Sequence, residues 1–409
     1  VNAFQENLEK LAELAVRVGL NLEKGQEVIA TAPIEAVDFV RLLAEKAYAQ
    51  GASLFTVLYG DNVLSRQRLA LAPEEGLDRA PAWLYEGMAK AFREGGAARL
   101  AVSGNDPKAL EGLPPERIGR AQQAQSRAYK PALEAISQFV TNWTIVPFAH
   151  PGWARAVFPS LPEGEGIARL WQAIFQATRV DAPDPVAAWE AHNRNLHQKV
   201  AYLNERRFQA LHFQGPGTDL IVGLAEGHLW QGGATPTQKG RLCNPNLPTE
   251  EVFTAPHRER VEGVVRASRP LALGGQLVEG LWARFEGGYA VAVGAEKGEE
   301  VLLKVLATDE GARRLGEVAL VAADNPIAKT GLVFFDTLFD ENAASHIAFG
   351  QAYAENLEGR PTGEELRRRG GNESLVHIDW MIGSEAVDVD GLLEDGTRVP
   401  LMRRGLWVV

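Results

Sequence analysis

One cysteine, Cys243, in 409 residues excludes an intramolecular disulfide framework and a cysteine-rich zinc site. Carboxylates and imidazoles are then the ligands left for any bound metal. Such a chain suits a reducing compartment, so a cytoplasmic location is expected. No apolar run approaches the roughly 18 residues that span a bilayer. Glu, Lys and Arg also interrupt the apolar positions of the first twenty residues, and neither a membrane span nor a secretory signal is expected. Cationic runs are scarce too: the net charge is −11, and the dense ones are Arg367-Arg368-Arg369 and Arg403-Arg404. A nucleic acid partner is therefore not expected. The chain also lacks an HExxH zinc signature, a GxSxG nucleophile turn and a Walker A loop.

What is present is an ordinary globular composition in a chain too long for one typical core. Residues 1–207 read as one domain and 208–409 as another. In the first, a helical pattern ended by Gly19, a strand Glu27 to Ala30, a helix from about Ile34 to Gln50 stopped by Gly51, a strand 54–58, a helix 82–94 and a strand 99–103 follow one another. Alternation with short joints predicts an α/β domain with a parallel sheet. Its first strand-to-helix turn, Thr31-Ala32-Pro33-Ile34, has no glycine, which argues against dinucleotide binding. Residues 115–207 read as mainly helical, ending in a long helix from about Asp184 to Phe208. From Ala210 onward, short alternating runs separated by Gly215-Pro216-Gly217 and Gly287-Gly288 read as antiparallel hairpins. With helices at about 297–307 and 341–354, the second domain is expected to be α+β on a mostly antiparallel or mixed sheet.

His377 and Asp379 lie two residues apart in the strand-like Leu375-Val376-His377-Ile378-Asp379-Trp380-Met381, so both point to one face. Burying them together costs several kcal/mol, on the order of a lost buried polar pair, unless a cation or mutual hydrogen bonding compensates. Glu250 and Glu251 are adjacent acids in a turn entering a strand, to be read as ligands or as surface charges. Glu317 opens an apolar strand, where an edge carboxylate is ordinarily solvated. His346 and Tyr353 fall on the 341–354 segment, capped as a helix by Asp340 or Asn342, on one face and about 10 Å apart along the axis. Three carboxylates, Glu251, Glu317 and Asp379, together with one hydroxide balance two divalent cations. The remaining histidines, His150, His192, His197, His212, His228 and His257, show no comparable acidic context in the sequence.

The segments NPNLPTEEVFTAPH, GEVALV, ENAASHIAFGQAY and SLVHIDWMIGS resemble the hallmark segments of the thermophilic metallo-aminopeptidases, with likeness running from residue 1 to 409. The resemblance implies a cytoplasmic homodimeric exopeptidase acting on short peptides, with two divalent ions, zinc or cobalt, in the C-terminal domain. It implies ligands at Glu251, Glu317, His346, His377 and Asp379, with Tyr353 at the metal edge. Tyr353 would then serve the oxyanion, and Glu250 or a ligand carboxylate the proton transfer. Trp143, Phe148 and Trp153 are candidates for a subunit interface or for ordinary core. Competing readings are a non-catalytic protein that binds a metal or small ligand, and a dinuclear phosphoesterase.

Overall fold

The computed structural model describes residues 3–274 and 276–409. The chain forms two compact units, Val1–Glu190 with Ala234–Pro248, and Ala191–Gly233 with Thr249–Val409.

In the first unit, strands Leu54–Gly60, Glu27–Pro33, Ala98–Ser103 and Trp143–Pro147 lie side by side in that order, all parallel. The helix Val37–Gln50 stops where expected: Gly51 takes φ +100° and its N–H closes the last turn on Tyr48, a left-handed cap that favours glycine. Two turns the sequence reads as plain helix, Ala15–Gly19 and Ala91–Gly95, are wound as π-helix. The stretch 115–207 is mainly helical as read, but it also contains a strand the sequence reading passes over, Trp143–Pro147. It is only five residues long and ends in proline, so its local pattern is weak beside the helices Pro115–Ser137, Glu163–Ala177 and Pro185–Arg206 around it. The stretch 234–248 joins this unit through main-chain bonds, Ile145 N–H to the Pro245 carbonyl at 2.7 Å and Leu247 N–H to the Ile145 carbonyl at 3.0 Å. Trp153 is 1% exposed, Phe148 stacks on Phe39 and Trp143 tilts against Phe139, so all three aromatic side chains make contacts within the unit.

The second unit carries, among the described residues, two large antiparallel sheets and a two-stranded hairpin, Leu271–Leu273 with Gln276–Val278. An eight-stranded one contains the expected hairpins, Ala210–Gly215 with Thr218–Leu224 and Trp282–Glu286 with Tyr289–Gly294. The other has four strands in the order His377–Met381, His346–Gly350, Leu315–Val321, Glu251–Thr254. Val252, Val318, Leu320, Ile347, Phe349, Ile378 and Trp380 join one apolar core with Phe213, Val222 and Phe285. Phe349 lies between Phe285 and Trp380, its ring centroid 5.9 and 5.4 Å from theirs. Removing a ring of this kind costs about 3–5 kcal/mol. The parallel and antiparallel sheets match the expected fold class.

The helix expected over 341–354 is instead a short helix Thr337–Glu341, a turn, and the strand His346–Gly350. Every residue of that strand is buried, and apart from His346 both faces are apolar or small, so no period of two shows in the sequence. Neither proposed cap serves the expected helix. Asp340 lies inside Thr337–Glu341, and Asn342 accepts the Glu250 N–H on its side chain. Glu317 is not at a solvated edge either, because Leu315–Val321 is an interior strand buried along its whole length.

A bulge at Gly316 shifts the register from Leu315 opposite Phe349 to Glu317 opposite Ala348. A Cβ there would stand 2.3 Å from the Gln351 carbonyl oxygen. Gly316→Ala is expected to destabilise the protein by about 1–3 kcal/mol. Denaturant unfolding checks this, and an unchanged midpoint would show that the strand end can move aside.

Candidate metal centre

Antiparallel neighbours directly opposite one another share a face. Glu317 lies opposite Ala348, which lies opposite Asp379; Ala319 lies opposite His346; Gly350 opposite His377; and Val321 opposite Glu251. Five ligand-type side chains from four strands therefore project from the face away from the core, and the small residues Ala319, Ala348 and Gly350 leave room between them. His346, Glu251, Glu317 and Asp379 are buried, and His377 is half-buried.

The ligand atoms form two groups that share Glu317. One is Glu251, Glu317 and His346; the other is Glu317, His377 and Asp379. His346 Nε2 is 3.1 Å from Glu251 Oε2 and 3.3 Å from Glu317 Oε1. His377 Nε2 is 3.3 Å from Asp379 Oδ1 and 3.8 Å from Glu317 Oε2. Each oxygen of Glu317 thus faces a different imidazole.

Each ring is oriented by its other nitrogen. His346 Nδ1–H donates to the Ala344 carbonyl at 3.0 Å and His377 Nδ1–H to the Gln351 carbonyl at 2.8 Å. A carbonyl only accepts, so both Nδ1 atoms carry hydrogen, and neutral rings would present Nε2 lone pairs to the carboxylates, the arrangement of metal-binding histidines. Glu251 Oε2, His346 Nε2 and Asp379 Oδ1 are buried without a hydrogen bond. Buried polar atoms of this kind need a partner, and a divalent cation satisfies the acids and imidazoles at once. The donor set therefore fits a divalent metal.

The electrostatics agree. Burial opposes charge on His346, yet Glu251 and Glu317 outweigh it and raise the imidazole well above its ordinary value. His377, also opposed by burial, is raised to about 9 by Asp379 and Glu317. Burial pushes Glu317 up to about 7. Asp379 is held low: burial opposes this, but the His377 and His346 imidazoles prevail.

Tyr353 is not two helical turns from His346 but beyond the end of the strand, its ring 4.7 Å from that of His377. Burial, then the charges of Glu317, Asp379 and Glu341, keeps its phenol protonated. Glu250 is buried, not a surface charge, and lies outside both ligand groups. Its Oε2 is 3.6 Å from His192 Nε2, which donates to the Thr249 carbonyl at 2.7 Å. His192 thus has an acidic neighbour that the sequence does not reveal, as do His150 beside Glu35 and His212 beside Asp219.

Glu341 is a residue the sequence reading passes over. It ends the helix Thr337–Glu341, and its carboxyl is raised well above the ordinary range by burial and by Asp379, Glu251 and Glu317. Its one signal in the sequence is that it opens the same ENAASHIAFG segment as His346.

A sheet face that gathers buried carboxylates and Nε2-presenting histidines defines a metal-dependent protein. The sequence pattern of the family described as thermophilic metalloprotease (M29) matches residues 4–407. Aminopeptidase T of Thermus aquaticus is 87% identical over the full length of both chains, and aminopeptidase AmpS of Bacillus subtilis is 43% identical, also over the full length of both. The solved structure of wild-type AmpT from Thermus thermophilus superposes with a TM-score of 0.95 at 83% identity, covering all of each chain. The chain belongs to the thermophilic metalloproteases (M29).

The raised values carry a sign. His377 is charged in the fold up to about 9 against an ordinary 6.5, so its contribution to stability is complete below about 6.5 and lost as pH rises toward 9. Glu317, held protonated up to about 7 against an ordinary 4.5, likewise loses stability as pH rises through that interval. Metal-free protein is therefore expected to melt at progressively lower temperature from pH 5 to 9. Metal-loaded protein should show the opposite trend, because the cation takes the deprotonated ligands. Melting curves across that range test both, and metal-free protein most stable at pH 9 would contradict the assignment.

Proposed function

We propose that the chain, a metallo-aminopeptidase, releases N-terminal residues from short peptides at a dinuclear centre. Glu251, Glu317 and His346 hold one divalent cation, and Glu317, His377 and Asp379 hold the other. The observation that carries this reading is Glu317, with one oxygen toward each imidazole. Glu341 adds a further carboxylate, its pKa raised by burial and by the charges of Asp379, Glu251 and Glu317. Two buried like-charged groups so close cannot both stay ionised without cations. Zinc or cobalt suits these oxygen and nitrogen donors. We further propose that residues 208–409 act as the catalytic domain, and that the enzyme works as a homodimer in a reducing cytoplasm. Cys243 suits either redox setting, since burial pushes its thiol up to about 11.

Bound in this site, the cations would polarise the scissile carbonyl and bring the pKa of a water toward neutrality. The residues of the chain do the rest. Tyr353, kept neutral by its surroundings, donates its O–H to the oxygen of the scissile carbonyl as negative charge develops there. Glu250 takes the proton of the attacking water and returns it to the leaving amine. His346 and His377 stay oriented throughout, because their Nδ1–H bonds go to main-chain carbonyls.

The metal-loaded enzyme should cleave dipeptides with a free amino group, spare their N-acetylated forms and phosphate esters, and stop on chelation. Turnover of phosphate esters alone, or peptide turnover that survives a chelator, would replace the reading. Tyr353→Phe should lower kcat by about a hundredfold, roughly 3 kcal/mol, with little change in KM. Unaltered kcat would remove the phenol from the reaction. Metal analysis separates the ligand roles: Glu317→Gln should weaken retention of both ions, and Asp379→Asn of one. Equal losses in the two variants would argue against a shared carboxylate.

A further inference from the structure

A small cleft opens beside the proposed centre, bordered by Asp379 and Glu341 and walled by Leu271, Ala272, Phe335 and Met381. We infer that this cleft receives the side chain of the substrate's N-terminal residue, and that Phe335 limits the size of side chain admitted. The inference rests on the aminopeptidase reading, which requires that side chain to lie beside the scissile carbonyl and hence beside the ligands.

The chemistry of the walls decides what kind of side chain fits. Asp340 also borders the cleft, but its acid is already engaged: Oδ1 accepts the Phe334 N–H at 2.7 Å and Oδ2 the Asp336 N–H at 3.3 Å. Asp379 belongs to the ligand set, and Glu341 lies close enough to feel its charge. Apart from Thr337, what remains to contact a side chain is apolar: Leu271, Ala272, Phe335 and Met381. The cavity is about 40 Å³, well short of the roughly 150 Å³ that accommodates a benzene ring. A short aliphatic side chain fits, and an aromatic one requires Phe335 to move.

Phe335 is not placed there by chance of loop packing. Its φ is +55°, a conformation that bulky residues rarely adopt unless their surroundings impose it. Asp340 supplies that constraint by gripping the N–H groups on either side of it. Leu271 and Ala272, which line the same cleft, come from the hairpin Leu271–Leu273 with Gln276–Val278, so main-chain pairing holds their positions.

The test uses the metal-loaded full chain and dipeptides that differ only in the first residue: alanine, valine, leucine and phenylalanine. For the wild type, kcat/KM should fall from the aliphatic members to phenylalanine. Phe335→Ala should raise the phenylalanine-to-alanine ratio of kcat/KM by about tenfold or more, and Ala272→Phe should lower the leucine-to-alanine ratio by a similar factor. The two variants alter different elements lining the cleft, so one reports if the other fails to fold. Ratios that stay constant while all four substrates change together would overturn the pocket assignment and leave the aminopeptidase reading intact. If the loaded wild type cleaves none of the four, the reading falls and the inference falls with it.

Discussion

The carboxylate of Glu317 is the constraint around which the second unit is arranged. It sits on an interior strand, buried, with an imidazole facing each oxygen, so its charge has to be balanced by the groups that surround it. Desolvating such groups costs several kcal/mol each, on the order of the penalty for an unpaired buried ion, so the site is tolerable only with opposite charge between the acids and the rings. The main chain accepts the cost because the other face of the same four strands is a continuous apolar core. Candidate ligand positions and core positions alternate along these strands, so the apolar core and the candidate metal face are carried by the same strands at interleaved positions.

Register turns this alternation into a centre. Antiparallel pairing places Glu317, Ala348 and Asp379 in one row across three strands, with His346 and His377 in the rows on either side. A slip by one residue would exchange the faces, burying acids in the core and placing valine and tryptophan on the face that now gathers the carboxylates and imidazoles. The bulge at Gly316 and the steric demand there fix where the row begins. The Nδ1 bonds to the Ala344 and Gln351 carbonyls then fix the rings, so orientation of the ligands rests on backbone geometry.

Much of this was legible from the sequence, and the misses have identifiable causes. Alternating order in the first hundred residues gave the parallel sheet, and glycine pairs between short apolar runs gave the hairpins, because those signals are local. His377 and Asp379 declared a shared face through spacing alone. His346 did not: it lies in a strand buried on both sides, whose unbroken apolar character conceals the period. Glu317 read as solvated because nothing local says whether a strand is interior or at an edge. Glu341, and the acids beside His150, His192 and His212, became neighbours only through tertiary contacts, which one-dimensional spacing does not carry.

The stretch 234–248 has a consequence for synthesis. It completes the unit otherwise built from residues 1–190, with Ile145 and Leu247 exchanging backbone bonds across it and Asn244 N–H reaching the Gly19 carbonyl. A nascent chain released through residue 207 still lacks that strip, so the amino-terminal body cannot finish assembling until some forty further residues have left the ribosome, by which time the opening hairpin of the second unit is already exposed.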